Sequence, residues 1–193
     1  MAASAAAAAT AHQLCPERFA RSGFAVARGL VQPQLLRSID ALMRHRATAV
    51  MSALADKPIG LGSVNGYEEL VQRSHNRWDV PMSETDLQAI WGSEGSVSTD
   101  VPWLNLVQDA LGPDAAPSFC GVVFSDPGSP PQQWHIDSPH EDAEHRPAHA
   151  VNVLVALTDI PLSMGPTQVA PGTHRPSGCA RSVYALLQVP RTR

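Results

Sequence analysis

Positive charge is in short supply. The chain sets 14 Lys and Arg against 18 Asp and Glu, a formal net charge of −4. No basic field exists to hold nucleic acid or an anionic membrane surface. No uncharged stretch approaches the ~20 apolar residues of a bilayer-spanning helix, which excludes a helical transmembrane protein. Cysteine is scarce as well: Cys15, Cys120 and Cys179 are scattered and form no Cys-x-x-Cys. An odd, dispersed set excludes a disulfide framework and a thiolate zinc site, and it fits a reducing compartment. The leading MAASAAAAATAHQL has no Lys or Arg before Arg18. It therefore lacks the basic region of a signal peptide and the scattered Arg of a mitochondrial transit sequence. A disordered Ala-rich tail over residues 1–14 is expected. The closing Arg191-Thr192-Arg193 carries no Ser-Lys-Leu-type peroxisomal address. An intracellular, cytoplasmic location is expected, with an organellar one left open. No internal repeat of solenoid or propeller length is found.

What is present fits one domain. The chain has 193 residues, of which 44% are hydrophobic, but 27 of them are Ala. Without Ala the strongly apolar share is roughly 30%, enough for a globular domain with a modest core. Histidine and proline are concentrated late: five of eight His lie from His135 to His174, and 12 of 17 Pro fall at or after Pro113. The front half thus reads as helix-bearing and the back half as short strands between Pro/Gly turns.

Local signals place the elements. Residues 17–19 predict a short helix, and Phe24-Ala25-Val26-Ala27 a first strand. Pro33 marks a helix start, and Leu35, Leu36, Ile39, Leu42 and Met43 recur at helical spacing to about Val50. Three Gly within 60–66 predict a loop. Ser83 precedes Leu87, Ile90 and Trp91 as the N-cap of a short helix. A further helix is expected over 102–111, closed by Gly112-Pro113. From Ser118 the period changes, and strands are expected over 119–124, 132–137, 151–158 and 167–170, with a sixth over 182–189. The 151–157 run is the most strand-like, being β-branched and free of Gly and Pro. The fold class expected is α+β or mainly β: a partial double-stranded β-helix, or jelly roll, under an N-terminal helical layer. Six strands fall short of the eight of a jelly roll, so unpaired edges and an exposed inner face are expected.

The chemistry lies in Trp134-His135-Ile136-Asp137. On a strand, residues i and i+2 share a face, so His135 and Asp137 would both point inward. One imidazole and one carboxylate make two of the three ligands of the two-His-one-carboxylate triad, which holds iron(II) with open positions for a co-substrate and O₂. Standing alone the triplet reads as a salt-bridged pair at a strand end.

Its surroundings change that. Ser125-Asp126-Pro127-Gly128-Ser129, Gln133 to Asp137, Val151 to Ile160, and Gly165-Pro166-Thr167 through Pro171-Gly172-Thr173-His174 follow in order. This succession resembles the phytanoyl-CoA dioxygenase-like family of iron(II)/2-oxoglutarate oxygenases. Residues 23–30 are similar to that family's opening strand, and Arg77-Trp78-Asp79-Val80-Pro81-Met82 looks like its central loop. The resemblance runs over about residues 16–178. It implies an oxygenase domain over 15–178, followed by a divergent tail over 179–193. It further implies Fe(II) held by His135 and Asp137, 2-oxoglutarate as co-substrate, and a small-molecule partner, with neither nucleic acid nor membrane. The reaction implied is hydroxylation of an aliphatic C–H of a small or acyl substrate. Asn152 is placed either facing the site, as a cofactor-binding residue, or on the solvent side of a sheet edge. Trp134 is placed either lining the cofactor pocket or packed outside the barrel.

The family pattern also includes a second metal His on a late strand and an Arg beyond it for the distal carboxylate of 2-oxoglutarate. Here the chain runs 19 residues past His174, and 179–193 holds no His. Arg191 and Arg193 sit at a terminus, where a bidentate clamp is poorly supported. His140, His145 and His149 lie in an acidic loop, and His174 ends a turn, where a hydrogen bond to the turn is expected. The domain is therefore expected to be incomplete, as in a truncated product, with weak metal binding and no iron-dependent succinate formation above a His135→Ala control. Two alternatives accompany the oxygenase reading: a catalytically inactive truncated family member, and an unrelated cupin-like protein with Zn or Mn at His135, Asp137 and a loop His.

Overall fold

A computed structural model describes residues 14–62, 67–91, 101–137 and 147–175. Helix α1 (Pro16–Ser22) begins with Pro and carries Glu17 in its first turn and Arg21 in its last, each complementing the helix dipole. Helix α2 (Pro33–Ala53) again starts on Pro. Its residues Ile39 and Met43, four apart, are buried, while Arg44 and Asp40 pair on the solvent side with Nε 2.9 Å from the carboxylate.

Strand β1 (Val71–Ser74) turns into β2 (Arg77–Pro81) through His75-Asn76, with Asn76 at φ 57°. Asn tolerates this left-handed conformation better than most residues, which suits it to a tight hairpin. A register shift between Gln72 and Ser74 marks a bulge beside the turn. After β2 come α3 (Glu84–Trp91) and α4 (Leu104–Leu111). Strand β3 (Gly121–Ser125) then returns to pair antiparallel with β2, giving the order β1-β2-β3. A single 3₁₀ turn spans Leu162–Met164.

One face of α2 lies on this sheet. Ile39, Met43, Leu70 and Val80 form the buried cluster, flanked by half-buried Trp78, Phe124 and Leu157. Trp78 and Val80 share a strand face by alternation, so the hairpin delivers both to the helix. The start of α3 is held from α2. The Ser83 hydroxyl accepts from the Asp86 N–H at 3.2 Å, and the Asp86 carboxylate accepts from the Ser83 N–H at 2.7 Å. This is a capping box with Asp in the place of Glu. Asp86 is buried, and Arg46 stands 3.0 Å from it while also donating to the Pro81 carbonyl.

The helices form where expected, and α3 begins right after Ser83. α4 starts two residues later than expected because Pro102 and Trp103 lie in a turn. The strands differ. Residues 77–82, expected as a loop, supply β2, and β1 was not foreseen. Of the six expected strands, 119–124 forms, shifted to Gly121–Ser125. Residues 24–28, 132–137, 151–158 and 167–170 carry no strand ladder, and 182–189 lies outside the described residues. The mixture of helix and antiparallel sheet stands. A mainly β balance does not: among the described residues helix exceeds strand. The reason is that β propensity expresses packing against a paired neighbour, and it makes no strand without one. Pro147, Pro161, Pro166 and Pro171 also remove ladder donors around these segments. The 151–157 run accordingly leaves Val153, Leu154 and Val155 exposed, Leu154 by 74%.

Two junctions lead the chain from this frame to the site. Beyond β3, the Asp126 N–H and the Ser129 hydroxyl both donate to the Asn76 carbonyl, at 2.8 and 2.6 Å. The Asn76 amide donates to the Pro127 carbonyl at 2.9 Å. The β1–β2 turn thus grips the Asp126–Ser129 turn from which residues 130–137 depart. At the other junction the Gly172 N–H donates to the Ser22 carbonyl at 2.7 Å, and His174 and Arg175 both donate to the Ala20 carbonyl. The last described turn therefore sits on the carboxyl end of α1. Gly23 makes room for it. Its φ is +79°, and a Cβ there would stand 2.4 Å from Nδ1 of His174.

Candidate metal centre

His135 and Asp137 lie outside any strand, Asp137 at a bend, so their expected strand setting is corrected. Their side chains nevertheless meet, with Nε2 of His135 3.2 Å from Oδ1 of Asp137. Two positions apart in the sequence, the side chains reach each other without a strand to align them. The expected inward orientation is not what the structure shows: the two side chains are 54% and 61% exposed. Trp134 is half-buried.

Both groups are oriented by a second contact. Nδ1 of His135 lies 2.7 Å from the Gln133 carbonyl. A carbonyl only accepts, so Nδ1 carries the proton and, in the neutral ring, Nε2 presents a lone pair. On Asp137 the other oxygen, Oδ2, accepts from the Asn152 side-chain amide. Asn152 thus touches Asp137 while itself remaining exposed. The sequence held a signal for this contact, a lone amide within an apolar run, but not its target.

The pair now poses a chemical question. A lone pair on Nε2 and a carboxylate oxygen 3.2 Å away repel each other unless a cation bridges them. That cation is either a proton, making an imidazolium–carboxylate pair, or a metal ion. Two donors bound at right angles to one ion, each about 2.1 Å from it, stand ~3 Å apart, close to the observed separation. A backbone carbonyl on the far ring nitrogen is also the usual way a ligating His is held. The donor chemistry fits a metal. Among the described residues no group of three His, Cys, Asp or Glu gathers around one point.

The other late histidines lie elsewhere. His149 is exposed, and His140 and His145 lie outside the described residues, as do Arg191 and Arg193. His174, expected to bond within its own turn, instead reaches the Ala20 carbonyl at 3.0 Å, leaving its buried Nδ1 without a partner. A separate cleft of about 570 Å³ opens between α2 and the sheet, lined among others by Arg44, Thr48, Trp78, Phe124 and Asp126. Arg44 lies over the Phe124 ring there, 5.9 Å from its centre. None of the candidate ligands lines this cleft. No helix among the described residues is long and apolar enough to cross a membrane.

No curated protein and no solved structure matches the chain. A family model does: residues 19–183 match phytanoyl-CoA dioxygenase (PhyH). The match takes in the Asn76-gripped turn, the His135–Asp137 pair, Asn152 and the turn seated on α1, and it sets aside the unrelated cupin-like alternative. By that match the chain belongs to the phytanoyl-CoA dioxygenase (PhyH) family, whose members are generally Fe(II)- and 2-oxoglutarate-dependent.

Proposed function

We propose that this chain carries an Fe(II)/2-oxoglutarate oxygenase-type centre in which His135 and Asp137 supply two of the metal's ligands. The observation that supports it is the facing pair of donor atoms at 3.2 Å, with the imidazole held through Nδ1. When bound, the iron would supply O₂ chemistry that couples decarboxylation of 2-oxoglutarate to hydroxylation of an aliphatic C–H. The protein's part is positional. The Gln133 carbonyl selects the tautomer that turns a lone pair of His135 outward, and Asp137 sets its negative charge beside that lone pair. Asn152 and Trp134 flank the pair and would form the cofactor side of the site. The jelly-roll enclosure of the family would draw on the 151–157 run, whose Val153, Leu154 and Val155 are exposed here. A small or acyl substrate is the class proposed. Two protein donors hold a metal weakly against water and buffer. With no third ligand beside them among the described residues, the pair is proposed to bind the ion without supporting turnover.

The test is anaerobic Fe(II) loading followed by oxygen and 2-oxoglutarate, with succinate measured against His135→Ala. Iron retained by the native chain and lost in His135→Ala, with succinate equal in both, is the expected result. Equal iron in both proteins would overturn the site. Succinate above the variant would overturn the absence of turnover and make His140, His145, His149 and His174 the next positions to substitute.

A further inference from the structure

We infer that Asn152 is a positioning residue that selects which oxygen of Asp137 meets the metal, an inference that rests on the centre proposed above. The carboxylate has two oxygens, and the structure divides them. Oδ2 accepts from the Asn152 amide, whereas Oδ1 faces Nε2 of His135 at 3.2 Å. Asp137 is exposed, and its single-residue link to His135 leaves χ1 and χ2 free to rotate unless something holds them. Residues 131–137 have no strand ladder to stiffen them, so the hold must come from a side chain. Asn152 supplies it from 15 residues away. Its amide can donate to an anion where a carboxylate would repel it and an aliphatic group would do nothing.

The arrangement repeats on both donors. Each has one atom turned toward the shared point and the other engaged by a neighbour: Nδ1 on the Gln133 carbonyl, Oδ2 on the Asn152 amide. Such outer contacts fix ligand orientation, and their removal typically weakens metal affinity by 10–100-fold. With Oδ2 engaged by Asn152, Oδ1 is the oxygen that would be left to hold a metal. This role is distinct from contact with a co-substrate. It also accounts for the one amide among Val151, Val153, Leu154 and Val155.

The experiment titrates Co(II) into the purified chain and follows the visible absorption of the bound ion. Asn152→Leu keeps the side chain's size without its donor. Asn152→Ser has a donor too short to reach Oδ2. Asn152→Gln keeps the amide on a longer arm that the exposed position accommodates. Leu and Ser are expected to weaken Co(II) binding by 10–100-fold and to alter the spectrum, whereas Gln stays within about threefold of the native chain. Melting curves of the four proteins should coincide, since position 152 is exposed. If the native chain binds Co(II) no better than His135→Ala, the centre itself fails and this inference with it. If the native chain binds and Asn152→Leu matches it in affinity and spectrum, the centre stands and the role of Asn152 is overturned.

Discussion

Asp86 offers the sharpest test of how the frame is held. Among the described residues its carboxylate is the one buried charged group, with 9% of the side chain exposed. It accepts from the Ser83 N–H and hydroxyl, both at 2.7 Å, and pairs with Arg46 at 3.0 Å. Replacing it by Ala removes the first-turn acceptor, a charged hydrogen bond worth about 1.5–3 kcal/mol. It also strands Arg46, and breaking a fully buried pair costs roughly 3–5 kcal/mol. Arg46 is 23% exposed and can turn to water, which reduces the second figure. The two contributions also overlap. Asp86→Ala is therefore expected to cost about 3 kcal/mol, a fall in Tm of roughly 6–12 °C for a chain of this size. Asp86→Asn keeps an acceptor at the cap and loses only the charge, so about half that cost is expected. Urea unfolding followed by far-ultraviolet circular dichroism measures both. A double-mutant cycle with Arg46→Met should return a coupling of at least ~1 kcal/mol. A cost below 0.5 kcal/mol for Asp86→Ala, or a coupling near zero, would refute the reasoning on the order of magnitude that separates buried from surface pairs.

Two other outcomes follow from particular contacts. Gly23→Ala should destabilise more than Gly29→Ala, although both positions have positive φ, because only at Gly23 would the new methyl meet the His174 ring. Gly29→Ala is expected to cost about 1 kcal/mol from backbone strain and Gly23→Ala at least twice that, and equal losses in urea melts would count against the seating of the turn on α1. Burial pushes the Cys120 thiol above its ordinary pKa. In a Cys15→Ser/Cys179→Ser protein the midpoint of its pH–alkylation profile should lie above that of the urea-unfolded chain. The native state then holds its proton more tightly than the unfolded one. This contribution to stability is complete below the unfolded pKa and declines as pH rises through the folded one. A native midpoint at or below the unfolded value contradicts it.

The local signals were readable because they depend on covalent spacing alone. Pro33 followed by Ile39 and Met43 defines α2 and its buried face, and Ser83 with Asp86 starts α3. The hairpin was also marked: His75-Asn76 stands between Val71-Gln72-Arg73 and the alternating Trp78 and Val80. Its second strand, Arg77–Pro81, falls in the 77–82 stretch that the family likeness presents as a loop. His135 and Asp137 are legible as partners because they stand only two residues apart.

What the sequence determined by itself, then, is composition, helix starts and stops, and the i, i+2 donor pair, all set within a few bonds. Tertiary structure decided the rest. Strand 121–125 pairs with β2, whereas the more β-rich 151–157 run carries no ladder, because a strand exists only beside a partner. The ring proton of His135 could not be assigned before the Gln133 carbonyl was located. The Asn152 amide reaches Asp137 across 15 residues, and His174 reaches Ala20 across 154. No periodicity encodes those distances. They arise only in the folded chain, whose described core is the α2 face buried against the sheet.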